Sequence, residues 1–352
     1  MRLSRRAWAI VAGVLVLALG AGGFATWRYT NLFLPDRLCA GAVASKDAQR
    51  VLGSGRIVVA GSSASSDRGS PEASCAISLR RGNTYVAELH LRTRLAALAE
   101  PSLRADPAMA QPDRGAVGAF GNARGWLLMA PGCRLDSRDT DNFPTRDADA
   151  VTVDVIRDGQ PDPYRFARAD PAASPEAREG LARLAADFSA AVARRSGCGP
   201  AEVPDVHLTA GERIGQPVVG DTLCGVPGAA DDGALPPGAR QDVSSPSAPV
   251  RSCWVHDGIR AKPLYEFTGT LDTRYPGFAL LADGKPLGPL PDGWRGTGDG
   301  STVVAPCGSG NLTLHAFGFA ITGTAPAVQN PAFRTWANAT AAGYGCEPVA
   351  PQ

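Results

Sequence analysis

Trp126-Leu127-Leu128-Met129-Ala130-Pro131-Gly132-Cys133 and Thr302-Val303-Val304-Ala305-Pro306-Cys307 are two versions of one signal, an apolar run of strand length closed by Ala-Pro and a cysteine. Working outward, each is followed by a further alternating strand, Val151 to Ile156 after the first and Leu312 to Phe319 after the second. A proline-started helix then follows each. Ser174 caps the first, with Pro175 at its first position and Leu181, Leu184, Phe188 and Val192 at helical spacing. Asn330 and Pro331 open the second, which carries Phe333, Trp336, Ala337, Ala341 and Tyr344. Gly197-Cys198 closes one and Gly345-Cys346 the other.

The same matching runs towards the N-terminus. Leu38-Cys39 is answered by Leu223-Cys224, and Ser74-Cys75-Ala76-Ile77-Ser78-Leu79 by Ser252-Cys253-Trp254-Val255. Tyr85 to Leu91 alternates as a half-buried strand and pairs with the Cys75 run as a hairpin; Phe267 to Leu271 stands in its place in the second half. Ser45 to Leu52 reads as a short helix ended by Gly53, and Val226-Pro227-Gly228 breaks its counterpart. Four cysteines in matching contexts on each side point to duplication. The expected fold class is α+β: two tandem units, each a small antiparallel sheet with a C-terminal packing helix. The first spans residues 38–199, a linker without periodicity spans 200–221, and the second unit spans 222–352.

Ahead of both lie twenty uncharged residues, Ala7 to Thr26, about 30 Å of helix and enough to cross a bilayer. Arg2, Arg5 and Arg6 precede them, so residues 1–6 are expected in the cytoplasm and the bulk of the chain outside, behind a stalk at 27–37. A cleavable signal peptide is the rival reading, but the run exceeds the usual apolar core of about 7 to 15 residues. The expected localisation is the cell membrane, single-pass, with residues 7–26 as the membrane contact.

Composition fits folded protein: 44 % hydrophobic, 20 % charged, net charge +1. Three lysines stand against 32 arginines without a basic cluster, so no nucleic-acid partner is expected. Eight cysteines behind an export signal read as disulfides in an oxidising space. No CxxC hook is present, and within each unit four cysteines allow three pairings.

Leu34-Pro35-Asp36-Arg37-Leu38-Cys39, Val51-Leu52-Gly53 and Cys75 resemble the start of membrane-anchored and lipoprotein families of actinobacterial cell envelopes, whose function is unknown. The resemblance covers the apolar stretch, this first segment and the cysteine order. It implies a surface location and a bridge Cys39–Cys75, to which Cys224–Cys253 corresponds in the second unit. For the later pairs, a strand ending in Ala-Pro and a helix ending in Gly both stop at a cysteine, so Cys133–Cys198 and Cys307–Cys346 would staple each closing helix to its sheet.

Reactive constellations are scarce. His90, His207, His256 and His315 are the only histidines. His90 and His315 lie on alternating strands and are expected to face solvent; His256 precedes Asp257, but adjacent strand residues point to opposite faces. Gly61 to Ser66 holds no GxSxG elbow, and Gly296 to Gly300, Gly308 and Gly310 fit no dinucleotide or Walker pattern. Asp136, Asp139, Asp141, Asn142, Asp147 and Asp149 crowd one loop. Asp139, Asp141 and Asn142 are weak calcium candidates, since Phe143 and Pro144 break the EF-hand pattern. Lys285 to Trp294, with three prolines, reads as a connection or a stiff exposed ligand segment. No catalytic residue, metal or cofactor is assigned. The expected function is a binding, sensing or interaction protein of the envelope whose partner is another envelope protein or a small molecule. The alternatives are an exported hydrolase with a site assembled only by the fold, and an envelope assembly factor.

Overall fold

In the computed structural model, the described residues are 31, 34–64, 73–82, 84–95, 110–112, 116–121, 123–129, 133, 149–157, 175–198, 206–208, 213–230, 235–257, 264–271, 287–308, 310–317 and 327–351. Residues 7–26, on which the membrane-spanning expectation rests, lie outside them. Among the described residues no helix is long and apolar enough to cross a membrane.

The first unit opens with a two-stranded ribbon, β1 (Arg37–Leu38) and β2 (Val43–Ala44), which leads into α1 (Ser45–Leu52). Ala44 is the residue before the helix, and the Ser45 hydroxyl donates to the Asp36 carbonyl at 3.0 Å. The sheet comprises β3 (Arg56–Ala64), β4 (Ala73–Arg81), β5 (Thr84–Leu95), β6 (Gly118–Phe120), β7 (Arg124–Leu128) and β8 (Asp149–Arg157), in spatial order β3-β4-β5-β8-β7-β6. The long helix α2 (Pro175–Ser196) covers one face. Its Leu181, Leu184, Phe188 and Val192 enter a core with Ile77, Leu79, Leu89, Leu91, Leu127, Val151 and Val153. Gly180 lets α1 approach, because a Cβ there would stand 2.8 Å from Val51 Cγ2. Beside this contact burial pushes the Asp187 carboxyl above the ordinary carboxylate range, and the Arg37 guanidinium 3.4 Å away and the Ala44 N–H only partly oppose it.

The second sheet contains β9 (Arg213–Pro217), β10 (Arg240–Val243), β11 (Val250–His256), β12 (Tyr265–Thr270), β13 (Gly288–Pro289), β14 (Thr297–Gly298), β15 (Thr302–Cys307) and β16 (Gly310–Phe317). Its order is β13-β14-β15-β16-β12-β11-β10-β9. With β9 and β13 removed from its edges, this is the order of the first sheet strand for strand, β10 standing for β3 and β16 for β8. The closing helix α3 (Pro331–Gly343) is capped as its sequence demands, the Asn330 Oδ1 accepting from the Phe333 N–H at 3.2 Å. Its Phe333 and Trp336 pack on Phe267 of β12, with ring centroids 5.7 and 5.3 Å apart.

The α+β expectation is therefore corrected. The described chain is mainly β, with sheets of two, six and eight strands and three α-helices, and neither main sheet is small. Several strands fall outside the periodic runs legible in the sequence. Residues 56–64 form β3, whose register shift between Val59 and Gly61 breaks the alternation that marks a strand in sequence. The supposed linker 200–221 contains β9, and Val206 within it is buried in the first core. Gly288–Pro289, inside the proline-rich connection, is an edge strand, the place where a sheet tolerates proline. Within the stalk, the Asn31 side chain donates to the Gly55 carbonyl at 2.6 Å and accepts from the Ile57 N–H at 2.8 Å.

Four disulfides join Cys39 to Cys75, Cys133 to Cys198, Cys224 to Cys253 and Cys307 to Cys346, with Cα separations of 5.8, 4.7, 5.6 and 5.0 Å. The chain-entropy model gives each about 4 kcal/mol before strain. Cys39 and Cys224, the first of each set, both adopt left-handed backbone, at φ 56° and 57°.

Candidate functional site

Strand β5 sorts its side chains by alternation. Leu89 and Leu91 enter the core, while Glu88, His90 and Arg92 project from the opposite face. On β4 the residues opposite Arg92, His90 and Glu88 are Ser74, Ala76 and Ser78, all small, which leaves a depression beside the longer β5 side chains. The β3 bulge places Gly61 opposite Ala76 and Ser62 opposite Cys75. The result is a cavity of about 360 Å³ lined by Gly61, Ser62, Ser74, Ala76, His90 and Arg92, with Cys75 in its wall. The Cys39–Cys75 bridge fixes that wall from behind.

The three β5 side chains form a row. Arg92 Nη2 lies 3.2 Å from His90 Nδ1, and because a guanidinium only donates, Nδ1 is the acceptor. The proton of the neutral ring therefore sits on Nε2. Glu88 Oε2 is 3.2 Å from Nε2 but off the N–H axis, so the contact is an electrostatic one, and Nε2 is a buried atom without a formed hydrogen bond. His90 is thus a half-buried member of a cavity wall, against the expectation that it faces solvent. His315 is corrected more strongly: it is buried on β16, its Nδ1 3.4 Å from the Thr302 hydroxyl.

His256 finds a carboxylate, but from another strand. Its Nε2 lies 3.6 Å from Asp242 Oδ2 on β10, while Asp242 Oδ1 accepts the Gly215 N–H at 2.5 Å. Asp257, its sequence neighbour, lies just beyond the end of β11. His207 is exposed. The calcium candidates Asp139, Asp141 and Asn142 lie outside the described residues, and among the described residues no three metal-ligating side chains gather. Gly308 takes a left-handed turn at φ 57° between β15 and β16, and Thr297–Gly298 is β14, so these glycines serve the sheet.

Glu88 and His90 are legible in the sequence as one face of a strand, whereas Arg92 lies beyond the run that reads as strand and joins the row only because β5 continues to Leu95. The cavity is not legible, because the hollow depends on small residues of β4 and on the bulge in β3. Comparison of the chain with family models, with curated proteins and with solved structures returns no match.

Proposed function

We propose that this chain is an extracytoplasmic binding protein, held at the outer side of the cell membrane through residues 7–26, with the β3–β4–β5 cavity as its ligand site. The observation that carries the reading is a donor-bearing cavity in a wall stiffened by a disulfide and by a continuous six-stranded sheet. Such pre-formed concavity with a few placed polar groups is what small-ligand recognition requires. The hydrolase alternative is less well supported by the same geometry. The Nδ1 lone pair is engaged by Arg92 and Nε2 carries the proton, so the ring presents no free basic nitrogen to Ser62 or Ser74.

The test uses the full chain in detergent, with melting temperature followed across a panel of small molecules. A ligand present well above its Kd raises the melting point by mass action, about 2.7 kcal/mol at a hundredfold excess over Kd. The expectation is at least one such ligand and no turnover. Ester or peptide hydrolysis abolished by His90→Ala would overturn the reading.

A further inference from the structure

We infer that the β3–β4–β5 cavity recognises a small anion, a carboxylate or a phosphate group, an assignment of ligand class that rests on the binding-protein reading. The side-chain groups lining it are two hydroxyls, an imidazole and a guanidinium, with no carboxylate among them. Arg92 spends one N–H on His90 and has others to offer, and guanidinium bonds to oxyanions are among the strong ones.

One buried donor sets the place for the anion. Nε2–H of His90 is buried, lacks a hydrogen bond, and is approached off its axis by Glu88 Oε2. Glu88 lies outside the lining, its side chain is 39 % exposed, and its other oxygen is 3.5 Å from the Ser78 hydroxyl. It therefore acts as a poorly seated internal carboxylate. An incoming anion on the Nε2 side of the ring takes the Nε2–H along its axis and displaces Glu88 towards solvent, while Arg92, held at Nδ1, adds its positive charge. The volume, about 360 Å³, is at the lower end of the range for small-molecule sites, so the ligand is small.

Gly61 supplies a clean test. A Cβ there meets nothing within 4 Å, and its backbone is outside the left-handed region, so Gly61→Leu fills the cavity mouth without straining the strand. Isothermal titration of the full chain in detergent would use inorganic phosphate, acetate and succinate as probes, with glucose as the neutral control. We expect one of the anions to bind, with the affinity falling roughly tenfold or more in Arg92→Gln. Gly61→Leu abolishes the binding and Glu88→Gln, which removes the competing charge, strengthens it. Each variant is to melt within a few degrees of the parent. Phosphate binding without carboxylate binding, or the reverse, identifies the source of the anion and supports the inference either way. Anion binding that survives Gly61→Leu overturns it. If glucose binds and the anions do not, and Gly61→Leu abolishes that binding, the anion class fails while the binding-protein reading stands. If a broad panel, anions included, yields no ligand at all, both fail.

Discussion

Tyr344 ends α3 with its hydroxyl 3.0 Å from the carbonyl oxygens of both Pro249 and Gly269, and it accepts the Arg251 N–H at 3.2 Å. The Arg251 guanidinium lies over its ring at 4.5 Å and donates to the Gly343 carbonyl at 2.8 Å. One phenol thus fastens the end of the closing helix to the entry of β11 and the exit of β12. Burial pushes its pKa up to about 12, with Arg251 opposing the shift. Unfolded, the phenol titrates near 10. Between those values the folded state holds more protons than the unfolded one, so stability falls as pH rises through that window and is flat below it. Tyr344→Phe should cost about 1–3 kcal/mol at neutral pH, since the Arg251 N–H loses its acceptor. It should also flatten the decline from about pH 10 to 12. Urea midpoints of both proteins across that range check this; an unchanged alkaline slope in the variant would assign the titration elsewhere.

At the scale of elements, the helix pair α1 and α2 depends on a missing side chain. Val51 is buried, β-branched and stiff, so it has little freedom to yield to a residue placed at Gly180. Gly180→Leu should lower the stability of the first unit by about 1–3 kcal/mol despite the better helix propensity, because the contact is already closed. Denaturant unfolding followed by Trp126, the tryptophan of β7, reads this; a stabilised variant would mean that α1 lifts away freely. Legibility in the sequence followed how local each determinant was. The helices over Ser45–Leu52 and Pro175–Ser196 and the Asn330 cap declare themselves within a few residues. The β4–β5 pair does so through the alternation of Cys75, Ile77 and Leu79 on one strand and of Ala87, Leu89 and Leu91 on the other, short of the bulge between Leu79 and Arg80. β3 hides because a bulge resets its period, and β9, β13 and β14 hide because two to five residues carry no period at all. The pairing of His256 with Asp242 hides for a further reason: it joins two strands across a register that sequence does not show.

For the whole molecule, two sheets of one strand order with separate cores raise the question of what joins them. Ala110, Ala119, Trp126, Leu128 and Ala150 of the first unit and Val250 of the second are buried, yet belong to neither core. Gln111 lies among these segments and is 1 % exposed. Its Nε2 donates to the Val250 carbonyl at 2.7 Å, and its Oε1 accepts the Val250 N–H at 2.9 Å. The side-chain amide therefore behaves as a one-residue strand, satisfying the donor and the acceptor at the start of β11 from 139 residues away. Buried backbone groups need such partners, and losing one leaves a penalty of about 1–3 kcal/mol per group. Gln111→Ala removes both at once. The expected result is a lower melting point and much faster amide exchange at Val250, with the Cys253 amide, deeper in the same strand, protected as before. Exchange at Val250 that stays at the parent rate would show that this amide is not what holds the second unit to the first.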